Sequence, residues 1–177
     1  DGKFTADQWG IEGYTGTFAL TRVTGGTSDT HKYRGSVAYT SAGGMNLTNF
    51  MPYKAAHSDF YKFCAGKKVT FAVDLRRNNA GATVLLSISD TVSSATTSVN
   101  ISGVNTWERK VVTHTVSASP QFLKCTIVSA ASATGQTCDF ANASFSLGTH
   151  TTLPYRASNE QEDYLGCCAQ YQEITFD

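Results

Sequence analysis

Large apolar side chains fall on every second position along much of this chain, which is the pattern of a β-strand with one buried face. The clearest run is residues 69–76, where Val, Phe, Val and Leu alternate with smaller or polar residues. A second apolar run, residues 84–88, follows a stretch containing Asn and Gly, which favour turns. The two runs predict a central β-hairpin whose apolar face is covered by the remaining strands.

The same alternation predicts further strands at residues 15–24, 33–39, 97–104, 107–116, 122–128 and 138–147. We expect the last two of these strands to pair with each other. Residues 46–53 are ambiguous, because Pro52 disfavours a central strand there. Residues 55–65 predict a short turn or helix that delivers its aromatic residues, Tyr61 and Phe63 among them, to the core.

Short strands separated by turn signals, with almost no helix, are typical of an antiparallel sandwich. The predicted fold class is therefore all-β, an antiparallel jelly-roll β-sandwich with one short C-terminal helix. We predict that helix at residues 159–170, because Ser158 begins a Ser-Asn-Glu-Gln capping box. No internal repeat or low-complexity linker interrupts residues 1–177, which predicts a single domain.

The charge balance narrows the classes of partner. Lys plus Arg and Asp plus Glu are 14 each, so no net field attracts nucleic acid or an acidic membrane. Only 16% of residues are charged, and the polar positions are dominated by small uncharged residues, which suits contact with neutral polar ligands such as glycans. No apolar run approaches the ~20 residues that span a bilayer, so no membrane insertion is predicted. Because the chain begins at Asp1 rather than Met, we expect it to start inside a longer protein or after processing.

The five cysteines are Cys64, Cys125, Cys138, Cys167 and Cys168. An odd count without a Cys-x-x-Cys motif argues against a zinc site, and no other metal or cofactor site is predicted. We expect Cys125 and Cys138 to lie on neighbouring strands, so a disulfide between them is one interpretation in an oxidising environment. Small buried thiols are the favoured interpretation.

Several short motifs carry a resemblance to a known family. They are Thr5-Ala-Asp-Gln-Trp9, Gly66-Lys-Lys-Val-Thr-Phe71, Thr106-Trp-Glu-Arg109, Phe145-Ser-Leu-Gly-Thr-His-Thr-Thr-Leu-Pro-Tyr155-Arg156 and Glu160-Gln-Glu-Asp-Tyr-Leu-Gly-Cys-Cys168-Ala-Gln-Tyr171. In order and spacing these stretches resemble jelly-roll domains in the tail fibres and other appendages of tailed bacteriophages. The resemblance touches both ends and the middle of the chain.

The resemblance implies a virion structural protein that is usually a homotrimer contacting other virion proteins. It also implies that the domain is the C-terminal part of a longer virion protein, located in an extracellular particle that is assembled in the host cytoplasm. Sandwiches of this kind are similar to carbohydrate-binding modules, so a host cell-surface glycan is the ligand it implies. Fold alone does not establish that binding.

Candidate sugar-binding residues are aromatic, because exposed rings stack on sugar rings. Tyr33, Tyr39, Tyr53 and Tyr61 lie near predicted loops and are the candidates. Trp9 and Trp107 match positions that pack in the core of the family, so both are interpreted as core residues. The loops expected to carry receptor binding are residues 25–32, 41–49 and 78–82.

Catalysis is not predicted. The chain has four histidines, at positions 31, 57, 114 and 150, but no nucleophile elbow or zinc-binding helix accompanies them. We expect these histidines in exposed strands or loops. The acidic residues are scattered rather than paired as in a glycosidase, and several lie on the predicted helix, where the helix dipole explains them.

Three function hypotheses remain. The first is a phage appendage domain that presents loops to a host surface polysaccharide. The second keeps the fold but makes the protein a capsid decoration or cement protein, or a baseplate adaptor. The third is a glycan-active enzyme or its accessory binding module.

Overall fold

The structure is a computed structural model, and it describes residues 10–24, 31, 33–51, 60–79 and 82–151. Ten β-strands and one four-residue helix lie in these residues. In chain order they are β1 (Gly10–Thr15), β2 (Phe18–Thr24), β3 (Tyr33–Tyr39), β4 (Gly43–Met51), α1 (Phe60–Phe63), β5 (Lys68–Arg77), β6 (Ala82–Ser89), β7 (Ser94–Ile101), β8 (Glu108–Thr115), β9 (Leu123–Ala131) and β10 (Thr137–Leu147).

The strands form two five-stranded sheets packed face to face. Sheet A has the order β1-β4-β9-β6-β7, and sheet B has the order β2-β3-β10-β5-β8. All the pairings between these strands are antiparallel. The predicted all-β sandwich is therefore confirmed.

The predicted central hairpin is wrong in its pairing. Strand β5 pairs with β10 and β8 in sheet B, whereas β6 pairs with β7 and β9 in sheet A. The chain thus crosses from one sheet to the other between these two strands. Alternation shows that each strand buries one face, but it does not distinguish pairing within a sheet from facing across a core.

The predicted pairing of the last two strands fails for the same reason. Strand β9 lies in sheet A between β4 and β6, and β10 lies in sheet B between β3 and β5. Their apolar sides face each other across the core. Consecutive strands in this chain repeatedly change sheets, as they do in jelly rolls.

Two further segments differ from the expectation. Residues 43–51, mostly expected as a binding loop, form strand β4 inside sheet A, and Pro52 comes directly after its last residue. In helix α1, Phe63 is 56% exposed rather than buried, and the ammonium of Lys67 lies 3.3 Å from its ring centre. Tyr61 does pack against the core.

The core consists of the inward side chains of both sheets. The alternation predicted for residues 69–76 is confirmed, since Val69, Phe71, Val73 and Leu75 are all 0% exposed. Strands β6 and β9 face them with Val84, Leu86, Ile88, Leu123, Cys125 and Ile127, none of them more than 1% exposed. Fully burying an aliphatic or aromatic side chain of this size stabilises the fold by about 1.5–3 kcal/mol.

Several sequence predictions fall outside the described residues. They are the C-terminal helix at 159–170 with Cys167 and Cys168, the residues Trp9, Tyr53 and His57, and most of the expected loop at 25–32.

Candidate functional site

The outer face of sheet B carries a concentration of polar and charged side chains that the core does not explain. We call it the outer polar cluster. Its members are His31, Arg34, Ser36, Asp74, Arg76, Trp107, Arg109, Asp139, Asn142 and Ser144.

Strand register assembles the cluster. Asp139 on β10 lies opposite Ser36 on β3 and also opposite Arg76 on β5. One row further along the sheet, Asp74 on β5 lies opposite Arg109 on β8. Residues directly opposite each other on neighbouring strands lie on the same face of the sheet. Because every second residue of these strands is apolar and points into the core, the residues between them lie together on the outer face.

Asp139 holds the first half of the cluster together. Its Oδ1 accepts a hydrogen bond from the Ser36 hydroxyl at 2.6 Å. Its Oδ2 accepts one from Arg76 Nε at 3.0 Å and lies 3.3 Å from Arg34 Nε. One carboxylate therefore orients two guanidinium groups from two different strands.

Asp74 organises the second half. His31 Nε2 and Asn142 Nδ2 both lie 2.8 Å from its Oδ2, and Arg109 Nη1 donates to its Oδ1 at 3.0 Å. Burial alone would raise the pKa of Asp74. The hydrogen bonds from His31, Asn142 and Arg109 outweigh that effect and hold the pKa of this carboxyl below its usual value.

A β-bulge in β10 supplies the remaining polar groups. The register with β5 shifts between Ala141 and Ser144, and Asn142 adopts a φ of 50° there. The bulge aims the Asn142 amide at Asp74, and Arg109 donates to the Asn142 carbonyl and to the Ser144 hydroxyl. Bulges often re-aim side chains in this way next to binding sites.

Trp107 belongs to this cluster, so its interpretation as a core residue is wrong. Its ring centre lies 4.1 Å from that of His31, with 35° between the planes, and Arg76 Cζ lies 4.7 Å from the ring. Trp107 precedes the first residue of β8 and shares the outer side with Arg109, two positions on. Its indole is half-buried.

The cluster has the chemistry to hold a polar ligand. Asp74 and Asp139 each accept several charge-assisted hydrogen bonds, and those made to Asp74 hold the pKa of that carboxyl below its usual value. The two carboxylates also hold the surrounding arginine side chains in place. At the far end of the same outer face, Thr70 donates to the Gly148 carbonyl and accepts from the His150 amide, so residues 148–150 cross over that end.

Of the tyrosines predicted as ligand platforms, neither Tyr39 nor Tyr61 belongs to this cluster. Tyr39 is 1% exposed in the core, where its hydroxyl donates to the Ser129 carbonyl at 2.9 Å, so its prediction as a binding residue is wrong. Burial raises the pKa of Tyr39. Tyr61 is half-buried against the core, and Tyr33 is the first residue of β3, whose side chain is not among those described. Tyr53 lies outside the described residues.

The sequence contained one usable signal for the cluster. Within the most apolar strand, β5, the outward positions carry opposite charges at Asp74 and Arg76. Charged residues on alternate positions of a central strand are uncommon unless neighbouring strands neutralise them. Applied to β5, this rule predicts a group of neutralising polar residues on the outer face of its sheet, rather than a site built from the tyrosines.

Cys125 and Cys138 are free thiols, so the disulfide interpretation is wrong for these two residues. They lie on β9 and β10, which belong to opposite sheets rather than being neighbours. Burial raises the pKa of both thiols, which keeps them protonated and unreactive.

Two histidines are buried, contrary to the expectation of exposed positions. His31 is 8% exposed in the outer polar cluster, and His114 is 6% exposed near the turn between β6 and β7. His114 Nε2 lies 3.2 Å from Asp90 Oδ2 and 3.3 Å from Ser93 Oγ. A hydrolytic triad places its carboxylate and its nucleophile on different ring nitrogens, and here both contact the same one.

Metal sites and membrane-spanning helices are both absent from the described residues. No group of three or more His, Cys, Asp or Glu residues there is arranged to hold a metal ion. None of the helical structure there is long and apolar enough to cross a membrane.

Comparison with known proteins identifies the fold. No protein-family model matches the chain, and no curated protein matches it. Among solved structures, the enzymatically active domain of bacteriophage CBA120 tailspike protein 4 is similar with a TM-score of 0.57 and 16% identity. That match covers 80% of this chain but only 19% of the tailspike chain.

Two further structures match over most of their own length. TmCBM61 in complex with β-1,4-galactotriose has a TM-score of 0.56 and 10% identity, and the match covers 77% of this chain and 90% of that one. A sugar-binding protein, so described, from Bacteroides thetaiotaomicron has a TM-score of 0.54 and 11% identity, with 82% and 90% covered. The chain therefore has the β-sandwich fold that carbohydrate-binding modules share.

Proposed function

We propose that this domain binds carbohydrate on the outer face of sheet B without cleaving it, and that it serves an appendage of a phage-like particle by recognising glycans of a host surface. The observation that carries the proposal is the outer polar cluster. It places guanidinium, carboxylate, amide and hydroxyl groups around one indole on a rigid sheet.

These groups match the chemistry of a sugar. Hydroxyls of a glycan both donate and accept hydrogen bonds, and planar Arg and Asn groups bind them in pairs. The indole of Trp107 supplies apolar surface for the C–H groups of a sugar ring. Because Asp139 and Asp74 already fix the rotamers of their partners, little side-chain entropy is lost when a ligand binds.

The comparisons support the proposal at the level of fold. Two of the similar structures are described by their names as carbohydrate-binding, and a third belongs to a phage tailspike. The appendage role, the homotrimer and the virion partners rest on the sequence resemblance together with the tailspike likeness.

The proposal is tested by screening the whole chain on an array of neutral and charged bacterial and plant glycans. Trp107→Ala and Arg34→Ala should each weaken binding roughly tenfold or more, about 1.4 kcal/mol. Thr83→Ala, on the outer face of sheet A, is the matched control and should bind like the wild type. Equal binding by all four proteins would contradict the assignment to sheet B.

A second assay separates binding from hydrolysis. A reducing-sugar release measurement with any glycan that binds should give no product, because the pKa of Asp74 is held below its usual value and this carboxyl is not poised as a general acid. If the wild type instead releases reducing ends and Asp74→Asn does not, the protein is an enzyme. Failure to bind any glycan, together with incorporation into a capsid or baseplate, would favour the decoration or adaptor role.

A further inference from the structure

The turn between β7 and β8 carries the chain from sheet A to the outer polar cluster. Strand β7 ends at Ile101 in sheet A and β8 begins at Glu108 in sheet B, so residues 102–107 cross from one sheet to the other. Trp107 is the last residue of this turn, and its indole lies in the cluster. The conformation of the turn therefore sets where the indole lies.

Glu108 holds the start of this turn with one carboxylate oxygen. Its Oε1 accepts hydrogen bonds from the Ser102 N–H at 2.6 Å, from the Ser102 hydroxyl at 2.9 Å and from the Gly103 N–H at 3.0 Å. Its other oxygen, Oε2, lies 2.7 Å from Lys110 Nζ. The two oxygens thus have separate partners: Oε1 binds the turn, and Oε2 binds a neighbouring side chain of β8.

These bonds keep the Glu108 carboxyl ionised. The bond with Lys110, followed by those from Gly103 and Ser102, outweighs burial and lowers the pKa of Glu108 to about 2. Only 18% of the side-chain surface is exposed, which limits competition from water. The carboxylate therefore remains the acceptor for the turn at all pH values near neutrality.

The middle of the turn is attached to β5. The Asn105 N–H donates to the Arg77 carbonyl at 2.7 Å, and Val104 forms a β-bridge with Arg77, the last residue of β5. Asn105 adopts a φ of 55°, a left-handed conformation that turns the chain sharply. The turn is therefore fixed at residues 102–103 by Glu108 and at residues 104–105 by β5.

Glu108 and Trp107 lie on opposite sides of sheet B. Glu108 is opposite the fully buried Leu75 in the register of β5 and β8, so its side chain lies on the inner side. The preceding residue, Trp107, lies on the outer side, where its ring centre is 4.1 Å from that of His31. The bonds that Glu108 makes on the inner side therefore fix the backbone from which the indole projects on the outer side.

We propose that Glu108 is a positioning residue of the glycan site: through Oε1 it fixes the turn at residues 102–107, and so it directs the Trp107 indole toward the ligand. The ligand contact rests on the proposed function, whereas the positioning is a property of the free protein. Without the carboxylate the turn gains alternative conformations, and the indole must be ordered again when a ligand binds.

The positioning is tested first in the free protein, by the NMR signal of the indole N–H. Of the two tryptophan signals, that of Trp107 is the one that disappears in Trp107→Ala. Glu108→Ala should shift or broaden it, whereas Glu108→Gln should keep it near its wild-type position, because the amide oxygen can accept the bonds made to Oε1. Lys110→Met is the matched control, since it removes the partner of Oε2 alone and should leave the signal unchanged.

The affinity for a glycan selected on the array gives the second readout. Glu108→Ala should raise Kd roughly three- to tenfold, and Glu108→Gln should recover most of that loss. Lys110→Met should bind like the wild type. In the Trp107→Ala background, Glu108→Ala should cause no further loss, because its effect passes through the indole.

An unchanged indole signal in Glu108→Ala, with the fold intact by circular dichroism, would overturn the positioning, as would equal effects of the Ala and Gln replacements. Additive losses of affinity with Trp107→Ala would overturn it too. A wild type that binds no glycan would overturn the proposed function, while the indole signal would still decide the role of Glu108. If Glu108→Ala does not fold, Ser102→Ala replaces it, because it removes one of the three bonds to Oε1; an unchanged indole signal there would count equally against the positioning.

Discussion

His31 Nε2 and Asp74 Oδ2 lie 2.8 Å apart, and this contact ties residue 31, which lies before β3, to the central strand β5. Arg109 Nη1 binds the other oxygen of the same carboxylate at 3.0 Å. Asp74 therefore links three parts of the chain on one face of sheet B. Its ionised form is the state that these partners stabilise.

Replacing this carboxylate should alter both stability and its pH dependence. We expect Asp74→Asn to lower the free energy of unfolding by about 1–3 kcal/mol at pH 7, because charge-assisted hydrogen bonds are lost. The pKa of Asp74 is lowered in the folded state, so its contribution is complete above its unfolded pKa of about 3.9 and is lost as pH falls through the folded value. Urea denaturation from pH 7 to pH 2 should show the variant and the wild type converging below about pH 4. A constant difference across that range would contradict this explanation.

Asp90 should be a stronger determinant of acid stability. Burial would raise the pKa of Asp90, but the backbone N–H groups of Ser117, Ser93 and Val92 outweigh it and lower the pKa well below its usual range. Asp90→Ala leaves these donors without their acceptor, and should cost about 2–4 kcal/mol. Thermal melting at pH 7 checks this, with Ser119→Ala at a nearby exposed position as the control. An unchanged melting temperature for Asp90→Ala would show that solvent replaces the carboxylate.

Gly35 should be intolerant of a side chain. A Cβ at this position would lie 2.1 Å from Cζ of Phe140, which faces it across β3 and β10. We expect Gly35→Ala to lower the free energy of unfolding by about 1–3 kcal/mol through overpacking. Phe140→Leu in the same chain should relieve the clash, so the double variant should lose less than the sum of the single losses. Additive losses in chemical denaturation would contradict this steric explanation.

Arg77 is a buried cation whose replacement should not harm the fold. It is 1% exposed, its Nη1 lies 3.3 Å from Ser129 Oγ, and its Nε has no hydrogen-bond partner among the residues that the structure describes. Burying a charge without a carboxylate partner carries a large desolvation penalty. We expect Arg77→Met to raise the free energy of unfolding by about 1–2 kcal/mol, measured by urea denaturation. A loss of similar size would mean that the guanidinium makes a net stabilising contribution.

The thiols of Cys125 and Cys138 should react only when the sandwich opens. Both side chains are no more than 1% exposed, and burial raises the pKa of both. Iodoacetamide labelling followed by peptide mass spectrometry should leave both unmodified in the native protein and modify both in denaturant. Peptides linked through these two cysteines under non-reducing conditions would contradict the free-thiol state.

The sequence was sufficient to predict most of the strands but not which strands are neighbours. The alternation at residues 69–76 predicts the buried face of β5 correctly, because burial acts on each strand separately. Pairing depends on contacts between distant segments, and so β5 was wrongly paired with β6. Strand β4 was hidden by Pro52, although that proline comes directly after its last residue.

The candidate site was missed for a related reason. Ser36, Asp74, Arg109 and Asp139 are far apart in the sequence, and only the register of four strands brings them together. Tyr39 was wrongly predicted to bind ligand because a tyrosine at a strand end can face either side of the sheet. In the structure it faces the core, where its hydroxyl donates to the buried Ser129 carbonyl.

The central claim is that carbohydrate binds on the outer face of sheet B, and amide chemical-shift mapping by NMR tests it most directly. Titration with an oligosaccharide selected on the array should shift the amides of Ser36, Asp74, Trp107 and Asn142, and leave β6 and β7 unchanged. Shifts confined to sheet A, or to residues remote from the outer polar cluster, would contradict it.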